Sequence, residues 1–200
     1  PSVSPDVLRT RFKGAFDDVA HLFTDGKTGR DVKFQCIAHF TMNKTSVEAE
    51  MLTRPAEDGG VSMVLEEADV RAIAAKTDEE LTHAEVSLYA ANPFKAPELL
   101  AIRDKARYTA KRAHAGNRRI PKDAYRHVLW SYLLTKRFGP DFAKRVTDAH
   151  EIGSDNTRSE RAMDYTNNRV GRRYAEHGYA ETAILNRLLN DPAVVRKPQR

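Results

Sequence analysis

Cysteine occurs once in these 200 residues, as Cys36, so no intramolecular disulfide can staple the chain and no thiolate cluster can hold zinc. Absence of disulfides leans towards a reducing compartment, although many bacterial exported proteins also lack them. Long apolar runs are missing as well: none comes near the roughly 20 residues a membrane helix needs, and the chain is expected to be soluble. The opening stretch, PSVSPDVLRTRF, has no apolar core of signal-peptide kind, and a chain opening at Pro1 is expected to be a piece of something longer. There is no internal repeat and no low-complexity segment. Nor is there a His-x-x-x-His or His-Glu-x-x-His pair, so any metal site has to be assembled from separate segments.

What is present suits one domain with a smaller appendage: 40% of residues are hydrophobic and 30% charged. The charge is uneven. Residues 1–100 hold 11 Lys/Arg against 17 Asp/Glu, and residues 101–200 hold 22 against 11. The basic excess is densest between Arg103 and Arg137, a stripe that could attract phosphates, nucleic acid or anionic lipid. Base-stacking aromatics do not interleave with it, so nucleic acid is not the favoured reading. A solvated helix face is the plainer one.

Periodicity predicts a mainly α architecture, a helical bundle with room for a small β element near the N-terminus. A helix is expected from Ser4 to about Phe23, then a strand over VKFQCIAHF with Phe34, Cys36, Ala38 and Phe40 on one side, and a second short strand within GGVSMVLEE. From Glu66 onward the pattern is helical. Thr77 and Glu80 suggest a capping box, and Thr157 and Glu160 a second. Gly139-Pro140, Gly178 and Asp191-Pro192 mark helix ends. The expected division is residues 1–90, mixed or helical and of unknown role, and residues 91–200, a helical catalytic domain.

Three helix faces carry polar residues where core is expected. After Pro121, Asp123, His127, Trp130 and Leu134 share a face with Arg126 on its flank, and an Asp one turn before a His can orient the ring. An Asp–His pair that merely stabilises a half-buried helix is the plainer alternative. In PDFAKRVTDAHE, His150 extends the stripe of Phe142, Val146 and Ala149, and Glu151 follows at the break. In MDYTNNRVGRRYA, Asp164, Asn167, Asn168, Gly171 and Ala175 align. Helix interiors disfavour Asp, Asn and Gly, so these polar groups cost stability unless they find partners, and Gly171 lets another backbone or a ligand approach closely. Antiparallel hairpins can bring the three faces together.

The run from Asp123 to Glu151 followed by MDYTNNRVGRRYA resembles an uncharacterised bacterial domain family found at the C-terminal ends of secreted and Rhs-type polymorphic toxins. The matching elements are Arg126, His127 and Trp130, then Asp148 to Glu151, then Met163, Asp164, Asn167, Asn168, Gly171 and Arg172, with NPFKAP upstream; coverage is roughly residues 92–175. The resemblance implies an antibacterial effector, made in a bacterial cytoplasm and secreted or delivered to a target cell, with a cognate immunity protein as partner. It supplies no reaction.

The leading expectation is therefore a toxin-type hydrolase whose site joins His127, His150, Glu151, Asp164 and Asn168, with Arg126, Asn167 and Arg172 binding an anionic substrate. In one form His127 is a general base oriented by a carboxylate and acting on an ester or phosphodiester through water, and Arg126 or Arg172 stabilises the developing charge. In the other, imidazole and carboxylate ligands hold a divalent metal ion. Two alternatives stand beside it. One is a lysozyme-like peptidoglycan glycosidase with Glu151 as general acid and Asp155 or Asp164 as second carboxylate. The other is a non-catalytic binding or adaptor domain.

Overall fold

The computed structural model describes residues 32–42, 45–55, 61–64, 67–76, 80–92, 95–153 and 156–198. The expected N-terminal helix, Ser4 to Phe23, lies outside them. The elements are β1 (Val32–Met42), β2 (Thr45–Pro55), β3 (Val61–Val64), α1 (Glu67–Lys76), α2 (His83–Ala90), α3 (Ala96–Gly116), α4 (Lys122–Phe138), α5 (Pro140–Glu151), α6 (Arg158–Glu176), a 3-10 turn (Glu181–Ala183) and α7 (Ile184–Asn190). The mainly α expectation holds. Among the described residues no helix is long and apolar enough to cross a membrane.

The chain divides into two compact units, one of residues 1–81 with 86–97, the other of residues 82–85 with 98–200. The first holds an antiparallel meander in the order β1-β2-β3. β1 and β2 pair from Val32 opposite Thr53 to Met42 opposite Thr45, with an irregularity between Phe34 and Ala38. β2 and β3 pair from Leu52 opposite Val64 to Pro55 opposite Val61. Two of these strands match the sequence expectation. β2 does not appear in it, although Val47, Ala49 and Met51 alternate with Glu48 and Glu50.

In the second unit α4, α5 and α6 pack on one another. The core takes Ala124, Val128, Leu129 and Leu134 from α4, Phe142, Val146 and Ala149 from α5, and Met163, Val170 and Tyr174 from α6. Each fully buried leucine contributes about 1.5–3 kcal/mol. The α4–α6 approach is close because of Gly171: a Cβ there would lie 2.2 Å from the Val128 carbonyl oxygen and 3.0 Å from Ser131 Cβ. Beside it the Ser131 hydroxyl donates to the Asn168 carbonyl at 2.7 Å, tying the two backbones. The neighbour that Gly171 admits is therefore a helix backbone.

Gly139, at φ 85°, ends α4, and Pro140 opens α5, so the corner forms where left-handed backbone and a fixed φ were expected. The Thr157–Glu160 capping box opens α6. Thr77 of the expected Thr77–Glu80 box lies outside the described residues, and α2 itself begins at His83. Its box is one T-x-x-E further on: Thr82 N–H donates to Glu85 Oε2 at 2.9 Å, and Glu85 N–H donates to Thr82 Oγ1 at 3.2 Å.

Candidate functional site

α4 carries Asp123, Arg126, His127 and Trp130 at spacings that share one face. His127 is wholly buried. Its Nδ1 lies 3.3 Å from Asn168 Oδ1 on α6. An amide oxygen only accepts, so Nδ1 carries the proton. On the other ring edge Arg126 Nη2 lies 2.7 Å from Nε2. A guanidinium only donates, so Nε2 presents its lone pair, and both contacts agree on one neutral tautomer. That same edge meets Asp164 Oδ1 at 3.3 Å and Asp123 Oδ1 at 3.9 Å. Asp123 was expected to orient the ring; Asn168, from another helix, does so instead.

The surrounding groups fix these in turn. Asn168 Nδ2 donates to Glu151 Oε1 at 3.2 Å, which sets the direction of the amide, and the same Glu151 oxygen is 3.6 Å from His127 Nδ1. Asn156 Nδ2 donates to Asp164 Oδ2 at 3.0 Å. Arg126 reaches Asp123 Oδ1 from Nε at 3.1 Å and from Nη2 at 2.7 Å. Asp164 Oδ1 accepts no hydrogen bond among the described residues, although Asp164 is buried. An unsatisfied buried carboxylate oxygen is costly and calls for a physical reason.

Electrostatics follow from this crowding. Burial, with the charge of Asp164 added and the Asn168 hydrogen bond opposing, pushes the Glu151 carboxyl up to about 8. Burial and the Asp123 charge push Asp164 up to about 7, against the pull of Arg126. Burial together with the Arg126 and His150 charges holds His127 well below the usual imidazole range.

His150 stands one ring away, its centroid 6.2 Å from that of His127 and 5.2 Å, edge-on, from that of Trp130. It belongs to a different network: His150 Nδ1 donates to Glu85 Oε1 at 3.1 Å, and Arg103 Nη1 donates to the same oxygen at 3.2 Å. Burial pushes Glu85 up, but the His150 hydrogen bond and the Arg103 charge outweigh it and leave its carboxyl below the ordinary value. Thr82 Oγ1 donates to the Ala149 carbonyl at 2.6 Å and holds this turn against the end of α5. Arg103, Arg107, Arg126, Trp130 and His150 line a recess of about 40 Å³. That is room for about three or four waters at about 10–15 Å³ each, or for the tip of an oxyanion.

Of the residues singled out in the sequence, His127, Glu151, Asp164, Asn168 and Arg126 come together. His150 is their neighbour. Asn167 points elsewhere: its amide donates to the Val195 carbonyl at 2.9 Å and accepts from the Val195 N–H at 3.0 Å, pinning the C-terminal segment. Arg172 donates to the Thr147 hydroxyl at 3.2 Å, joining α6 to α5. Asp155 lies outside the described residues. Sequence reasoning missed Asn156 and Glu85. Asn156 carries no local signal, whereas Glu85 is the closing glutamate of a T-x-x-E box, three residues after Thr82.

A larger cavity of about 690 Å³ is lined by Arg173, Tyr174, His177, Tyr179, Arg187 and Asp191. Its charges are already engaged: Arg173 pairs with Asp191 at 2.7 Å, and the Arg187 guanidinium lies 3.3 Å from the Tyr179 ring centroid. None of the His127 cluster lines it.

No curated protein and no solved structure matches this chain. Residues 86–193 match the family model described as a domain of unknown function, DUF6973, a span that contains the whole His127 cluster. Covering more than half of the 200 residues, that match shows that the chain belongs to the DUF6973 family.

Proposed function

We propose that the helical unit is a hydrolase that cleaves an anionic ester at the His127 cluster. One observation carries the reading: a wholly buried imidazole has Nδ1 tied to Asn168 while its Nε2 edge faces Arg126, Asp123 and Asp164. Such one-sided fixing is what a reacting or ligating nitrogen requires, and a core histidine satisfied on both edges by neutral partners would not need two carboxylates beside it. Water activated on the Nε2 edge attacks the carbonyl carbon or phosphorus. The bond to the leaving oxygen breaks, and the proton taken from the water passes through the cluster to that oxygen. Arg126 neutralises the developing negative charge, and the Arg103–Arg107–His150 recess receives the rest of the anionic group.

Position favours this over the glycosidase reading: Glu151 lies behind the ring, its Oε1 accepting from Asn168 and 3.6 Å from His127 Nδ1, whereas the Nε2 edge meets the partly exposed Asp123 and Arg126. The delivery context, an effector that acts on rival bacteria and is countered by an immunity protein, is part of the proposal and rests on the motif resemblance. The test is expression of the chain in sensitive cells. His127→Ala and Asp164→Asn are each expected to abolish toxicity with the far-UV circular dichroism unchanged. Retained toxicity in both overturns the reading. Modest losses that add independently favour the adaptor alternative, since residues acting as a unit each cost nearly everything.

A further inference from the structure

We propose that Asp123, His127 and Asp164 bind a divalent transition-metal ion, with Arg126 holding its place in the resting chain. This deepens the hydrolase reading by naming the cofactor of the same site, and rests on that reading only for what the ion would do. The three side chains each offer one ligand atom, and those atoms lie within 4.8 Å of one another. Two ligands at about 2.0–2.1 Å from a tetrahedral ion are about 3.3–3.4 Å apart. His127 Nε2 and Asp164 Oδ1 are already at 3.3 Å. Asp123 Oδ1, at 3.9 Å from Nε2, sits on a half-exposed side chain that can close the remaining gap.

Three further observations point the same way. Asp164 Oδ1 is buried, accepts no hydrogen bond among the described residues, and faces the Nε2 edge, so a cation would supply its missing partner. Both inner ligands are braced from behind in the manner of metal ligands: His127 Nδ1–H donates to Asn168 Oδ1, and Asn156 donates to Asp164 Oδ2. Finally, a positive group is already there. Arg126 Nη2 lies 2.7 Å from both His127 Nε2 and Asp123 Oδ1, bridging two of the three ligand atoms as an ion would. Arg126 is partly exposed and can swing out. The donor set, one imidazole and two carboxylates, suits Zn²⁺ or Mn²⁺ rather than a soft ion, and the exposed Asp123 side leaves positions for water. The bound ion would lower the pKa of that water and so produce the nucleophile.

The experiment is calorimetric titration of the full chain, stripped with EDTA and exchanged into chelator-free buffer, with ZnCl₂ and separately MnCl₂. One equivalent is expected to bind, with affinity falling at least tenfold in Asp123→Asn and in Asp164→Asn. Asp123→Asn decides the matter even if Asp164→Asn fails to fold, because Asp123 is half-exposed. Arg126→Met, which keeps the apolar stem, is expected to tighten binding. No binding by the wild type, including the case in which only Arg126→Met binds, overturns the proposal, as does an affinity unchanged within threefold in Asp123→Asn. Binding without any turnover keeps the metal site and counts against the hydrolase. Turnover that survives EDTA in a chain that binds no ion does the reverse.

Discussion

Glu85 and Glu151 are both wholly buried glutamates in the same helical unit, and each lies beside a histidine Nδ1. Around Glu85 stand the Thr82 N–H, Arg103 and His150, all donors, and its carboxyl is held below the ordinary value. Around Glu151 stand the Asn168 amide and the charge of Asp164, and its carboxyl rises to about 8. Burial penalises both equally in kind. What separates them is whether positive partners outnumber negative ones. The Glu85 network is closed, with its charge answered, and braces the Thr82–Glu85 turn against the end of α5. The His127 network carries three carboxyls, and Asp164 Oδ1 accepts no hydrogen bond among the described residues, so a proton or a cation there would be stabilised. Perturbed groups gather where chemistry is intended, and the contrast is why the proposed site is centred on His127 rather than His150.

Breaking the closed network should cost most. Glu85→Gln leaves Arg103 and His150 without their anion, and a loss of about 3–5 kcal/mol is expected in urea unfolding. Loss below about 1 kcal/mol would erase the distinction between the two sites. Next comes Gly171→Ala, whose methyl meets the Val128 carbonyl. It should cost about 1–3 kcal/mol by overpacking and, by pushing α6 off α4, separate His127 from Asn168 while the Glu85 network keeps its geometry. Measured activity should then fall further than that of a variant equally destabilised elsewhere in the core.

The smallest effect is the most diagnostic. Glu151 and Asp164 have folded pKa values raised to about 8 and about 7, so their contribution is complete below their unfolded values and is lost as pH rises through those figures. His127 is lowered, so its contribution is present above its unfolded value near 6.5 and is lost on acidification. Glu85 is likewise lowered and its contribution is lost only at acid pH. Between pH 7 and 8.5 the carboxyl pair therefore dominates, and the EDTA-treated chain should lose stability by up to about 1.4 kcal/mol per pH unit for each group still titrating. In Glu151→Gln that slope should shrink, with a cost below about 1 kcal/mol at pH 7. An unchanged slope would show that the open network is not where the protons reside.

Much of this was legible from local pattern. The helices, the Gly139-Pro140 corner and the Thr157–Glu160 cap follow from periodicity and capping chemistry, which act within a few residues. The His127, Asp164 and Asn168 positions stood out because Asp and Asn are poor helix-interior residues. Other choices were not local. TDEELTHAE contains two T-x-x-E boxes, and propensity does not rank them. Thr82–Glu85 is the box at the start of α2, and there the hydroxyl also reaches the Ala149 carbonyl and the carboxylate meets His150 and Arg103. Asn167 and Asn168 are adjacent and alike in sequence, yet one pins Val195 and the other orients His127.

The residue order alone thus determined where the helices run and which of their faces are unusually polar, since both depend on backbone preference and on spacings of three and four. Which polar group meets which was decided by packing, above all by the bare backbone of Gly171 that lets α6 close on α4. Whether a buried acid ends up answered like Glu85 or exposed to further chemistry like Asp164 depends on charges brought in from distant segments, and no local stretch encodes that sum.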